Sequence, residues 1–458
     1  MDKLKKESKT NIFKFYSKTF IEGDIFTKLS FIIMGLSNLL RGQIVKGLIY
    51  LSLEIGFIYF MVTTGVSKLI GLRTLGTQGQ HMEFDESRGI DITVPGDNSM
   101  LFLLFGVSTL FIVAAFLVLW NSNVKSAIKA QQMKQAAKKL PGFIDDIQSL
   151  FDKNLHMSFL SLPVIGILLL TVLPLIFMIT IAFTNYDHNH QPPGNLFTWV
   201  GLKNFDTILL SGETISKTFW PILGWTIIWA IFATILNYIL GMLLAMLINR
   251  KDIKFKGLWR TLFVLSIAVP QFVSLLIMRN ILADQGALNM LLKEFGLIEK
   301  SIPFFTNPTL ARISVIVINL WIGIPHTLLI TTGILMNIPE DLYESAKIDG
   351  APPFIMFFKI TLPYVIFVTT PYLITQFIGN INNFNVIYLL STGGPNTNEY
   401  YQAGKTDLLV TWLYKLTVDK KDYNYASTIG ILVFVISATF ALSVYRKTSA
   451  YNNEEEFQ

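Results

Sequence analysis

Cysteine is absent from the 458 residues, which excludes a disulfide scaffold, a thiolate zinc site and a cysteine nucleophile together. Charge is scarce too: Asp, Glu, Lys and Arg make up 15% of the chain, against about 25% in an average soluble domain. Only five histidines occur. The H-E-x-x-H helix, the G-x-S-x-G turn and the G-x-x-x-x-G-K-[ST] phosphate loop are all missing. Proteolysis, ester hydrolysis and phosphate-loop ATP binding by this chain are thereby removed, and it is expected not to be an enzyme. No internal repeat is visible, which argues against an inverted-repeat carrier. The basic start MDKLKKESKTNIFKFYSK lacks the short apolar core and small-residue cleavage site of a secretory signal, so it is expected to be retained.

Apolar residues dominate instead. Hydrophobic side chains make up 52% of the sequence, with 36 Phe and 8 Trp, and the mean hydropathy is +0.50; disorder, collagen and coiled coil are excluded. A bilayer core needs roughly 20 apolar residues in a helix. Eight stretches qualify: 47–67, 98–120, 158–183, 218–248, 261–281, 310–333, 364–385 and 426–445. They lack the strict alternation of barrel strands, so the expected class is an all-α polytopic membrane protein with about eight transmembrane helices. The shorter apolar stretch 26–40 is expected to be interfacial or re-entrant.

Basic residues set the orientation. With the N-terminus cytoplasmic, the inner segments 1–46, 121–157, 249–260, 334–363 and 446–458 hold 24 Lys and Arg, and the outer segments hold 11. Both termini are therefore expected inside a cell (plasma) membrane. The clearest piece is the run Arg250, Lys251, Lys254, Lys256. Tracts such as Lys3, Lys5, Lys6 and Lys138, Lys139 read as contacts with anionic membrane lipid rather than with nucleic acid. Three regions follow: 1–157, with two extra spans and a cytoplasmic linker interrupted at Pro141-Gly142; a six-span core, 158–446; and a tail, 447–458. Ionisable groups inside the spans are few. Glu54 lies mid-span, where an orienting or interhelical role is expected, and Arg279 and Arg312 lie near span ends. An ion-coupled carrier, which would use acids at membrane depth, is accordingly a weak alternative.

The most specific feature is the inner loop ILMNIPEDLYESAKIDGAPPFIMFFKITLP, residues 334–363. Asn337 and Glu340 have the spacing of a capping box, and Pro339 suits a first turn. A helix is expected over 339–348, ended by Asp349-Gly350. Leu342, Tyr343 and Ala346 form an apolar stripe suited to a partner's groove.

Glu344-Ser345-Ala346, then Gly350, then Ile360-Thr361-Leu362-Pro363 resemble the EAA signature of binding-protein-dependent ABC importer permeases, with Ser345 where the family usually has Ala. The likeness covers most of 158–446, including NLWIGIPHTLLITTGILMNIP and NINNFNVIYLLSTGGP, and is nearest the MalF-type subunits of maltose and maltodextrin importers. The short outer loop 184–217 resembles the Gram-positive, hence bacterial, members. The resemblance implies that 338–363 is a coupling loop, with Leu342, Tyr343, Glu344, Ser345, Ala346, Asp349 and Gly350 against an ATPase. The implied partners are a second permease, a cytoplasmic ATPase dimer that holds the ATP and magnesium, and an extracellular sugar-binding lipoprotein. No cofactor or metal is expected on this chain.

Polar residues within apolar spans suggest a path for solute. Amides in hydrocarbon must find hydrogen-bond partners, and a sugar's hydroxyls pair with amides while its C–H faces pack on aromatic rings. Gln376, Asn380 and Asn383 recur at i, i+4, i+7, with Asn382 beside them. The resemblance places Gln376, Gly379, Asn380 and Asn383, together with Ile322, Gly323 and His326, at sugar-contacting positions. His326 stands where an aromatic is usual, and Gln376 and Gly379 also depart from the enterobacterial pattern, so sugar identity stays open. Amides as interhelical glue are the alternative for the same residues. Gly241 with Ala245 fits close helix packing only. The expectation is a maltodextrin importer permease. Its alternatives are a galacto-oligosaccharide importer, an ion-driven sugar carrier, or an anchored scaffold that moves no solute.

Overall fold

The computed structural model describes residues 12–250 and 252–446; Lys3, Lys5, Lys6, Lys251 and the tail 447–458 lie outside them. The chain divides into two units, one ending at Trp199 and the other beginning at Val200.

The first unit opens with α1 (Ile12–Glu22), α2 (Ile25–Leu29) and α3 (Leu36–Leu40). The stretch 26–40 is thus two one-turn helices around a bend rather than a single helix. Side chains of neighbouring spans hold that bend. Two long helices follow, α4 (Ile44–Thr74) and α5 (Ser99–Gln135). The Gly35 N–H donates to Asn123 Oδ1 at 2.8 Å, and Asn123 Nδ2 returns a bond to the Ser30 carbonyl at 2.8 Å. Glu54, on α4, accepts from the Met34 N–H at 2.8 Å. That bond satisfies a bend amide with an acid that apolar surroundings would otherwise penalise. Arg41, its side chain 1% exposed, pairs with Asp24 at 2.5 Å. Between α4 and α5 a hairpin of β1 (His81–Asp85) and β2 (Ile90–Val94) pairs antiparallel, with Glu83 opposite Ile92. The linker contains α6 (Phe143–Phe151), which starts directly after Pro141-Gly142. The last span of the unit is α7 (Leu155–Ile181).

The second unit contains α8 (Lys203–Leu209), α9 (Thr214–Asn249), α10 (Lys256–Ala268), α11 (Gln271–Ile281), α12 (Ala287–Glu294) and α13 (Pro308–Leu335). Then come α14 (Glu340–Ile348), α15 (Pro353–Ile381), α16 (Phe384–Ser391), α17 (Leu409–Lys415) and α18 (Tyr423–Tyr445). Among the described residues seven helices are long and apolar enough to cross a membrane, and the pair α10–α11 makes an eighth if it counts as one span. All eight expected stretches are there, with two corrections. The stretch 261–281 is broken, because α10 and α11 meet at 88°; Pro270 drives Val269 into extended backbone (φ −79°, ψ 124°) and ends the helix. The stretch 364–385 belongs to a helix that starts earlier, at Pro353, and stops at Ile381.

Close approach of α9 and α13 organises this unit. The Gly241 position admits the α13 side chain of Thr327, since a Cβ there would stand 2.6 Å from Thr327 Cβ. Gly323 does the same for Asn237 from the other side. Ala245 is fully buried one turn beyond Gly241. Buried tryptophans of α9 fasten the later elements: Trp225 Nε1 donates to the Thr406 carbonyl and Trp229 Nε1 to the Asn380 carbonyl, each at 3.1 Å. Each indole thus combines a large apolar contact with a satisfied donor. A wide π-type turn at 357–361 precedes Pro363, and there the Leu362 N–H reaches Phe357 O.

Candidate functional site

A cavity of about 400 Å³ lies between α9, the broken pair α10–α11, α13 and α15. Six of the seven expected path residues line it: Ile322, Gly323 and His326 from α13, Gln376 and Asn380 from α15, and Asn383 just beyond. Gly379 is not among them; it is exposed, with nothing within 4 Å of where a Cβ would stand.

The amides divide by what already occupies them. Asn380 Nδ2 donates to Thr234 Oγ1 at 3.0 Å, and its backbone carbonyl takes the Trp229 indole. Asn383 is not the next face position of α15, because the helix has ended. Its Oδ1 caps α16 by accepting from the Val386 N–H at 3.2 Å. Both therefore act as interhelical or capping groups as well as lining residues. Gln376, one turn before Asn380, has an exposed side chain in the cavity.

Two cavity residues escaped the sequence reading. Asn237 on α9 is 8% exposed and Asn319 on α13 is 4% exposed. Asn237 Nδ2 donates to the Ala233 carbonyl at 2.7 Å, while its Oδ1 has no hydrogen-bond partner among the described residues. Asn319 Nδ2 likewise has none. One orphan is an acceptor and the other a donor, and an unsatisfied buried amide costs about 1–3 kcal/mol. Both were lone amides within the apolar runs 218–248 and 310–333, which was the available signal. The broken helix adds Ser266, Gln271 and Ser274, and α13 and α15 add Trp321 and Tyr372. No Asp, Glu, Lys or Arg is among the described residues that line the cavity. The chemistry on offer is neutral hydrogen bonding beside flat aromatic surface.

The loop 336–352 lies at one end of the unit, and the connections α8–α9, α11–α13 and α15–α18 lie at the other, as the alternating direction of the spans requires. Helix α14 starts at Glu340, with Pro339 in extended backbone before it (φ −56°, ψ 130°). Asn337 does not cap it: the helix has no side-chain cap bond, and its start falls two residues late for the expected capping box. The far end is as expected. Gly350 has φ +74°, its N–H bonds the Lys347 carbonyl at 3.0 Å, and the Ala351 N–H bonds the Ala346 carbonyl at 2.9 Å. This is a complete Schellman stop.

The expected apolar stripe is divided between two faces. Tyr343 turns inward against Ile338 and Val365, with its hydroxyl 2.8 Å from Thr361 Oγ1. Ala346, one turn on, is half-buried. Leu342 is 47% exposed and Ile348 86%, and Glu344, Ser345 and Asp349 are exposed with them. Tyr343 ties the helix to α15, and the outward set forms an exposed face.

A bundle of long apolar helices around a polar cavity, with a short helix at one end that exposes one of its faces, defines a polytopic solute permease. Residues 237–448 match the family model described as the inner membrane component of binding-protein-dependent transport systems. The galactooligosaccharides transport system permease GanP of Bacillus subtilis is 35% identical over 92% of this chain and 97% of its own length. The maltodextrin transport system permease MdxF of the same organism is 35% identical over 93% and 95%. The maltose/maltodextrin permease MalF of Salmonella typhimurium is 38% identical over 55% of this chain and 49% of its own. The chain belongs to this family of binding-protein-dependent transport permeases. A bacterial ABC transporter for import of the acidic polysaccharide alginate shares the fold, with a TM-score of 0.54 and 24% identity over 65% of this chain and 96% of that one.

Proposed function

We propose that this chain is the sugar-path subunit of an ATP-driven importer of neutral oligosaccharides, with maltodextrins as cargo. The cavity carries the reading. Its lining has no Asp, Glu, Lys or Arg among the described residues, it holds two buried amide atoms that lack a protein partner, and tryptophan and tyrosine stand beside them. Sugar hydroxyls supply both the donor that Asn237 Oδ1 lacks and the acceptor that Asn319 Nδ2 lacks, and sugar C–H faces pack on Trp321 and Tyr372. An acidic polysaccharide would meet no Lys or Arg there. Relatives named for maltodextrin and for galactooligosaccharide transport support the same class.

The machine requires partners. A second permease completes the path, an extracellular binding lipoprotein delivers sugar, and a cytoplasmic ATPase dimer, which binds the ATP and magnesium, docks on the outward face of α14. This chain itself cleaves no bond. The basic bias of the segments that include 121–157 and 249–260 puts α14 and both termini in the cytoplasm. Closure of the ATPases displaces α14, and the Tyr343–Thr361 bond passes that displacement to α15, whose Gln376 and Asn380 face the sugar. Alternating access follows from one helix that carries both the coupling contact and part of the binding wall.

Cargo is tested by uptake of labelled maltotriose and of a galactose-containing trisaccharide, with and without this chain, its partners being present. Loss of maltotriose uptake alone supports maltodextrin. Loss of the galactosyl sugar alone keeps the architecture and replaces the cargo, and unchanged uptake of both refutes the assignment.

A further inference from the structure

Beyond Asn383, aromatic and polar surface continues at the end of the unit away from α14. Phe384 directly follows Asn383 in the chain. Its ring stacks on Tyr388 at 4.7 Å between centroids and 21° between planes, and both rings meet Tyr414 of α17 edge-on, at 5.0 and 5.2 Å. None of the three rings is fully buried. Lys415 and Asp419, one residue and about one turn past Tyr414, form one wall of an open groove of about 480 Å³. The other wall is Asn396, Thr397, Asn398, Tyr400 and Gln402.

The groove offers amides, hydroxyls and the exposed carboxylate of Asp419. Lys415 Nζ is bound to the buried Asp407 at 2.6 Å. Lys405 beside it is bound to Glu399 at 2.6 Å and sits 4.0 Å over the Tyr400 ring. Anions therefore find no free ammonium in this wall. A neutral polyhydroxyl ligand finds amide donors and acceptors next to stacked rings. The Phe384–Tyr388–Tyr414 cluster adjoins both in the chain, Phe384 following Asn383 of the cavity and Tyr414 preceding Lys415 of the groove.

We infer that the groove and the aromatic cluster form an outer subsite, which holds the trailing sugar rings of an oligosaccharide whose leading rings occupy the cavity. The inference rests on the proposed sugar-path function and adds chain-length selection to it. Short sugars fill the cavity alone, and longer ones also engage Tyr388, Tyr414 and the amides of Asn398 and Gln402.

The test uses the assembled importer with its binding protein in proteoliposomes, with maltotriose and maltoheptaose as probes. Asn398→Ala with Gln402→Ala alters two exposed groove side chains, and Tyr414→Leu removes a ring but keeps apolar bulk for packing. The expected result is a fall of about tenfold in kcat/KM for maltoheptaose, the weight of one or two lost hydrogen bonds, with maltotriose within twofold of the parent. Equal falls for both sugars, or no change for either, would overturn the subsite. An equal fall accompanied by weaker binding of the sugar-binding protein to the importer would reassign the groove to protein docking. A parent complex that moves neither sugar would instead refute the function beneath the inference, and the inference with it.

Discussion

Gly350 provides the sharpest perturbation of the proposed coupling loop. Its φ of +74° lies in the left-handed region, and nothing stands within 4 Å of where a Cβ would be. Gly350→Ala therefore meets no clash and carries only the conformational cost of a left-handed L-residue, about 1–2 kcal/mol. That is a factor of about 5–30 in the population of the capped helix. Gly350→Asn should cost less, because a short polar side chain tolerates this conformation. Gly350→Pro is far worse. Proline fixes φ near −65°, removes the N–H that bonds the Lys347 carbonyl at 3.0 Å, and pushes Asp349 out of its φ −72°, ψ 0° geometry. A loss of roughly 3 kcal/mol or more opens the last turn of a nine-residue helix. The assay is sugar moved per ATP hydrolysed in proteoliposomes, with membrane abundance followed by immunoblot. The series should run Gly, Asn, Ala, Pro in falling transport at equal abundance, with hydrolysis retained in the proline variant but uncoupled from uptake. Parental transport by Gly350→Pro at normal abundance would refute the reasoning.

Other perturbations separate the remaining claims. Tyr343→Phe removes the bond to Thr361 and should lower transport per ATP severalfold, about 0.5–1.5 kcal/mol, without weakening ATPase binding. Leu342→Ala, on the outward face, should weaken ATPase binding in a pull-down; the reverse pattern would mean that the two faces are misassigned. Gly323→Ala places a methyl against the Asn237 amide and should destabilise the detergent-solubilised protein by about 1–3 kcal/mol. Adding Asn237→Ala should restore much of that in a thermal unfolding series, and a purely additive double variant would contradict the packing. Asp407→Ala leaves Lys415 without its carboxylate and should cost about 3–5 kcal/mol, more than the double change Asp407→Leu with Lys415→Met. In the first unit, the Thr77 and Gln78 N–H groups, bonded to Asp97 at 2.7 and 3.0 Å, hold its carboxyl below the usual carboxylate range. A lowered folded value means that the bonds contribute above the unfolded value and are lost as pH falls through the folded one. Amide exchange at Thr77 and Gln78, corrected for intrinsic rate, should therefore accelerate under acid, and Asp97→Asn should abolish that dependence.

The spans were legible because each is a long run with few charges, and such a run in lipid has no alternative to a helix. The break at Val269–Pro270 was visible as a proline in an apolar run, but its size was not. A proline can kink a helix mildly or stop it, and the serines and Gln271 exposed by the 88° turn show which occurred only once α9 and α13 are placed beside it. Spacing put Gln376, Asn380 and Asn383 on one face, yet the helix ends at Ile381 and Asn383 serves the next element as a cap. That ending depends on which of two adjacent amides takes the cap. Asn237 and Asn319 were hidden for a different reason: a lone amide in a span reads as helix glue until its neighbours are known. The glycine opposite Asn237, 86 positions along the chain, is a three-dimensional fact. In the coupling loop, Gly350 was readable from Asp-Gly alone. The division of Leu342 from Tyr343 depended on the buried cluster of Tyr238, Met242, Ile338 and Val365 against which Tyr343 packs.

The absence of cysteine makes the central claim directly measurable. Ser274 lines the cavity from α11, so Ser274→Cys with cysteine-free partners gives a single reactive thiol in the proposed path. Its alkylation rate should be followed in the working importer with ATP and the loaded binding protein. Maltotriose should slow alkylation during turnover, and an alginate oligosaccharide should leave it unchanged. If maltotriose is taken up at the parental rate while alkylation at position 274 is indifferent to it, the sugar does not pass through this cavity.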